Sequence, residues 1–197
     1  MAVGKVIDST LSRYGHDYRR GFRPTVGAMT KLAGAALSQE LKEIDLAVSE
    51  PERARILAQI SAVLQAFRKT EVFGLARPRS RLVLIDEQVG VYVQPDYWDG
   101  KSRFYEMKSY RAVPLSPENA LQIRLFQLGF PRFEAFLLCV DRHAVPPVSS
   151  ITSVPPPTVQ EASETLSLAT RAGAERGTPV VLEYVDVPVV RYSAAGP

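Results

Sequence analysis

Residues 95–108 read PDYWDGKSRFYEMK: a proline, an aspartate, a turn rich in Asp, Gly, Lys and Ser, and then a segment carrying Glu-x-Lys. The run RFYEMKSY over 103–110 has the aromatic content and alternation of a β-strand. Alternation sets Phe104, Glu106 and Lys108 on one face and Met107 and Ser109 on the other. An acid and an amine on a face that packs inward need water, mutual pairing or a bound ion.

The residue types suit a divalent ion. Mg²⁺ prefers hard oxygen ligands, keeps several waters, and is commonly held by one or two carboxylates together with phosphate oxygens of a substrate. Asp96 and Glu106 are the candidate carboxylates, and the backbone carbonyl of Met107 is placed to add a third oxygen. Such an ion lowers the pKa of a bound water and offsets charge that builds on a phosphate. Lys108, a compact ammonium on a flexible stem, would orient that water or steady the added negative charge. The competing explanation is plain: Pro-Asp opens many turns, and Glu and Lys two apart are common on a solvated strand face. Context favours the site, because an apolar run, VGVYVQ at 89–94, leads into Asp96 and the turn WDGKS precedes the Glu-x-Lys strand.

PD followed by EMK resembles the signature of the PD-(D/E)xK nuclease superfamily, which includes restriction endonucleases, RecB-type exonucleases and Holliday junction resolvases. The resemblance covers about residues 80–140. It implies an α/β restriction-endonuclease-like core, a central mixed sheet flanked by helices in αβββαβ order, with Mg²⁺ or Mn²⁺ as cofactor and DNA as partner. Ser116, Pro117 and Glu118 give a cap, a first helical position and an acidic first turn for a helix reaching Gly129. RFEAFLLCV, ending at 140, then reads as a buried strand. In that helix the chain is similar to the RecB-like branch in having Gln122, implied to contact the active site or DNA. Phe126 stands where that branch usually has tyrosine, so the hydroxyl is absent. A solvent-facing helical glutamine is the alternative for Gln122.

Other departures narrow the branch. Iron–sulfur members need four cysteines, whereas this chain has one, Cys139, inside the apolar run AFLLCV, where it reads as a small buried hydrophobe. The upstream segment GAMTKLAGAALSQELKEI, residues 27–44, lacks the histidine that many relatives use as a further ligand. It offers Glu40, the weakly favoured additional metal ligand, and Glu43; Glu71 competes with both. Surface helices carry glutamates routinely, and this one has an apolar stripe of Met29, Leu32, Ala36, Leu37, Leu41 and Ile44. His16 and His143 stand alone near arginines and read as surface residues.

Composition supports a modest globular enzyme. The chain has 197 residues, 46% hydrophobic and 23% charged, enough for a substantial core. No run of about 20 apolar residues occurs and no signal region opens the chain, so a soluble, cytoplasmic protein without membrane contact is expected. Net charge is only +3, but the arrangement is uneven. Arg13, Arg19, Arg20 and Arg23 cluster with Tyr14, Tyr18 and Phe22, a set that could join phosphate contacts to base stacking or form a solvated arm. Arg77, Arg79 and Arg81 precede the first core strand, and Lys101, Arg103 and Arg111 surround the candidate site. Arg19, Arg20, Arg23, Lys101 and Arg111 are the expected nucleic-acid contacts.

The expected organisation is a basic N-terminal arm (1–25), a nuclease-like core (26–143), a Pro/Ser-rich loop or linker (144–158), and a C-terminal helix and strand (159–197) packed on the same domain. Within the core, one helix spans 26–47, a second starts at the capping signal Ser49, Pro51, Glu52, and strands cover 81–85 and 89–94. The C-terminal run, interrupted by Pro188, would add to a sheet edge or engage a second subunit or another protein. Dimerisation suits duplex or junction cutting, yet no self-complementary surface stands out. Two other functions fit less of the sequence: a non-catalytic nucleic-acid-binding module with the nuclease fold, and a structural or assembly protein working through its C-terminal region.

Overall fold

Capping and apolar spacing decide most of the elements in the computed structural model, which describes residues 2–84, 90–110, 114–176 and 189–191. In chain order these are α1 (Ala2–Arg19), α2 (Val26–Glu43), α3 (Glu50–Arg68), β1 (Arg81–Leu84), β2 (Gly90–Val93), β3 (Tyr97–Trp98), β4 (Arg103–Lys108), α4 (Pro117–Gly129), β5 (Glu134–Asp141), β6 (Val148–Val154), α5 (Val159–Arg176) and β7 (Val189–Arg191). The hydroxyls of Thr25, Ser49 and Ser116 accept from the backbone N–H of Ala28, Glu52 and Asn119 and so start α2, α3 and α4. This is a mixed α/β protein. No helix among the described residues is long and apolar enough to cross a membrane.

The chain divides into two compact units. One comprises Met1–Ala76, Met107–Arg111 and Leu138–Ile151; the other comprises Arg77–Glu106, Ala112–Leu137 and Thr152–Pro197. In the first, α1, α2 and α3 pack together around Val6, Ile7, Leu11, Tyr14, Met29, Leu37, Ile60 and Leu64. The expected N-terminal arm is therefore a core helix. Ile7, Leu11 and Tyr14 recur at spacings of four and three, and that stripe buries while Arg13 beside it stays exposed. Tyr14 lies 4.9 Å from Phe73 between ring centroids and Tyr18 lies 5.1 Å from it, so these rings pack inward and are not base-stacking platforms.

In the second unit β1 pairs antiparallel with β2, Arg81 opposite Val93, and parallel with β7, Leu82 opposite Val189. The last described strand thus adds to a sheet edge. A separate sheet has the order β3-β4-β5-β6. One central sheet was expected; among the described residues there are two, because Gln94 and Pro95 interrupt the chain between β2 and β3. Pro95 cannot donate to a ladder, and the Gln94 side chain is spent on the carbonyl of Pro78 at 2.8 Å. Residues 148–154 correct the expected loop. The prolines lie outside this segment and bound it, while Val148, Ile151, Thr152 and Val154 supply β-favouring side chains. The Gln127 amide donates to the carbonyls of Val154 and Pro155 at 3.1 and 2.9 Å, fixing the strand's end.

Helix α4 is seated by contact on both sides. Its Phe126 and Phe130 meet the ring of Phe104 in β4 at 6.3 and 5.9 Å. At its end Gly129 lies over the first sheet, where a Cβ would come within 2.3 Å of a Val93 methyl and 3.3 Å of a Val83 methyl. Arg81 donates to the Gly129 carbonyl at 2.9 Å.

The β3–β4 connection is an aspartate-anchored turn. The Asp99 carboxylate accepts from the backbone N–H of Lys101, Ser102 and Arg103 at 2.8, 2.9 and 3.0 Å, and Gly100 takes the left-handed φ of 78° that the turn requires. Burial pushes the Asp99 carboxyl up, but the hydrogen bonds from Arg103, Lys101 and Ser102 outweigh it, so its pKa lies below the ordinary value.

Two outcomes are expected. Gly129→Ala should destabilise the fold by about 1–3 kcal/mol in chemical denaturation, the scale of overpacking; unchanged stability would mean that α4 is not seated this closely. For Asp99, a depressed folded pKa contributes stability above the unfolded pKa, near 3.9, that is lost as pH falls through the folded one. The stability gap between wild type and Asp99→Asn should therefore be constant above that range and shrink in acid. A gap that widens on acidification would contradict the turn's role.

Candidate functional site

Two candidate acids flank one short ladder. Tyr97 pairs with Tyr105 and Trp98 with Phe104. Asp96 stands at a bend immediately before β3, and Glu106 follows Tyr105 in β4. Lys108 follows Glu106 on the same face of β4, two residues along the strand and half-buried.

The surroundings raise the stakes for both acids. Glu106 is only 4% exposed, on a strand whose centre, Phe104 to Glu106, is buried on both faces. The Asp96 side chain is 16% exposed, and its Oδ1 accepts from the Arg77 guanidinium at 3.3 Å. Arg77 supplies positive charge on the Asp96 side. The sequence signalled this residue only as part of the basic group 77–81; its pairing spans 19 positions and a sheet boundary.

Gln122 is half-buried in α4, one turn before Phe126, whose ring meets Phe104 of β4 at 6.3 Å.

The remaining candidates stand elsewhere or alone. Glu40 pairs with Lys5 at 3.3 Å in the helical unit, and Glu43 accepts from Gln39 at 2.9 Å. Neither joins a metal-holding group. Arg23 lies 3.9 Å over the Tyr18 ring and donates to the Tyr18 carbonyl at 2.9 Å, while Arg13 pairs with Asp17 at 3.5 Å. Arg20 and Lys101 are exposed, Lys101 at the tip of the Asp99 turn. The Arg19 side chain and Arg111 lie outside the described residues. Cys139 is buried, as its apolar neighbours imply.

Among the described residues, no three or more histidine, cysteine, aspartate or glutamate side chains gather to hold an ion. The residue types offered by β4 and the bend before β3 are carboxylates and a backbone carbonyl; these oxygens would suit a hard ion such as Mg²⁺ or Mn²⁺ and not a soft metal that needs sulfur or imidazole.

No protein-family model matches the chain, and no curated protein matches it. Among solved structures, the crystal structure of SSO0001 is similar at 14% identity with a TM-score of 0.42, over 88% of this chain and 76% of that chain.

Proposed function

We propose that this protein is a Mg²⁺- or Mn²⁺-dependent deoxyribonuclease of the PD-(D/E)xK type, with a restriction-endonuclease-like core, that hydrolyses DNA phosphodiester bonds. The observation that supports this reading is that Glu106 is buried on β4 with Lys108 two residues along the same strand, while Asp96 directly precedes β3, the strand that pairs with β4. Asp96 and Glu106 would hold the ion, with the Met107 carbonyl as a further oxygen; when bound, it supplies an acidified water and positive charge beside the phosphate. Lys108 orients the attacking water or steadies the phosphate as its charge rises. Gln122, half-buried in α4, positions water or the DNA backbone through its amide. Lys101, exposed at the turn beside the site, is the described cation best placed in sequence to meet a phosphate.

A second reading, a nucleic-acid-binding module that does not cleave, is favoured by one feature: Arg77 already pairs with Asp96, in a place where a cation would be bound.

Purified protein with circular, linear and single-stranded DNA, with and without Mg²⁺ or Mn²⁺, separates the two. Cleavage is expected only with metal, and Asp96→Ala, Glu106→Gln and Lys108→Ala should each lower it at least about 100-fold, the scale of losing one preorganised electrostatic group. Mn²⁺ titration followed by electron paramagnetic resonance should show weakened binding in the two carboxylate variants and near-normal binding in Lys108→Ala. Cleavage that survives in all three variants would remove the site. DNA binding with no cleavage under either metal would establish the module instead.

A further inference from the structure

The segment from Pro146 to Pro156 reads PPVSSITSVPP, which is symmetric about Ile151 except that Ser150 faces Thr152. Its central seven residues, Val148–Val154, form β6, the outermost strand of the β3-β4-β5-β6 sheet. Every residue from Val148 to Ser153 is exposed, with Val148 at 59% and Ile151 at 37%, and among the described residues no strand pairs with its outer edge. Edge strands are normally guarded by charges, bulges or covering elements, because their unpaired N–H and C=O groups template further pairing. No charged residue occurs in β6.

From this symmetry we infer that β6 is a self-pairing edge: two copies of the chain join antiparallel through β6 about a two-fold axis at Ile151, continuing the sheet from one copy into the other. In that register Val148 meets Val154 of the second copy, Ser149 meets Ser153, Ser150 meets Thr152, and Ile151 meets itself. Aliphatic pairs and hydroxyl pairs are favourable cross-strand neighbours, and no like charges are opposed. A two-fold arrangement needs such a self-complementary patch. The prolines set the register. They lack the ladder N–H, so the paired stretch is held to seven residues at both ends, and a slip sets Pro147 or Pro155 against a strand residue and Ile151 against serine or threonine. The assembly also closes. The opposite edge of this sheet is β3, only two residues long, which gives little template for a second junction. This inference stands apart from the nuclease reading, since it needs neither the carboxylates nor DNA.

Cysteine cross-linking reads the register directly. Cα atoms directly opposite in an antiparallel pair are about 4.5–5.5 Å apart, within disulfide reach. Val148 and its own copy would be about 20 Å apart, six residues along the strand. Under mild oxidation of the full chain, Ile151→Cys should therefore cross-link with itself, Val148→Cys and Val154→Cys should each fail alone, and an equal mixture of those two should cross-link. The native Cys139 is buried and gives the background. In light scattering after size exclusion, wild type should have the mass of two chains and Ile151→Lys, which opposes two ammonium groups at the axis, the mass of one. Circular dichroism of Ile151→Lys checks that the fold is retained; should it unfold, the cysteine series decides alone. A monomeric wild type at high micromolar concentration, or equal cross-linking at all three positions, would overturn the self-pairing.

Discussion

The antiparallel pairing of Tyr97 and Trp98 with Tyr105 and Phe104 is the constraint on which the candidate site depends. Only two residue pairs make it, and they are held from the turn by Asp99, whose carboxylate gathers three backbone N–H groups. The charges beside this ladder are a buried acid on β4, Glu106, a lysine two residues beyond it, and Asp96 just before β3, with the Arg77 guanidinium 3.3 Å from its carboxylate.

Packing makes this geometry stiff. Phe104, the neighbour of Glu106 on the same face, is clamped by Phe126 and Phe130 of α4, and α4 is held at its far end where Gly129 meets Val93 and Val83. Phe126 is therefore part of the seat for the strand that bears Glu106. Its ring is used for packing, which needs no hydroxyl. Gln122 gains its place from the same seat, one helical turn from Phe126.

Much of this was legible in the chain, for identifiable reasons. Ser49 and Ser116 announce their helices because an N-cap is local chemistry, and RFYEMK announces a strand because alternation is local too. The N-terminal helix was obscured: arginines at 13, 19, 20 and 23 dominate the composition, whereas Ile7, Leu11 and Tyr14, which decide burial, are few. Proline and serine content similarly hid β6, since the prolines bound the strand and do not interrupt it. The split into two sheets at Gln94 and Pro95, and the partnership of Arg77 with Asp96, depend on contacts distant in sequence that no spacing rule supplies. At the site itself, the acids and the lysine were readable as residue types.

The account turns on whether one ion bridges Asp96 and Glu106. Crystals soaked in Mn²⁺ and measured at the manganese absorption edge would show this directly. The predicted result is an anomalous peak within about 2.0–2.3 Å of a carboxylate oxygen from each residue, the bonding range for such hard cations, with Arg77 withdrawn from Asp96. A peak bound elsewhere, or none with the Arg77–Asp96 pair intact, would contradict it.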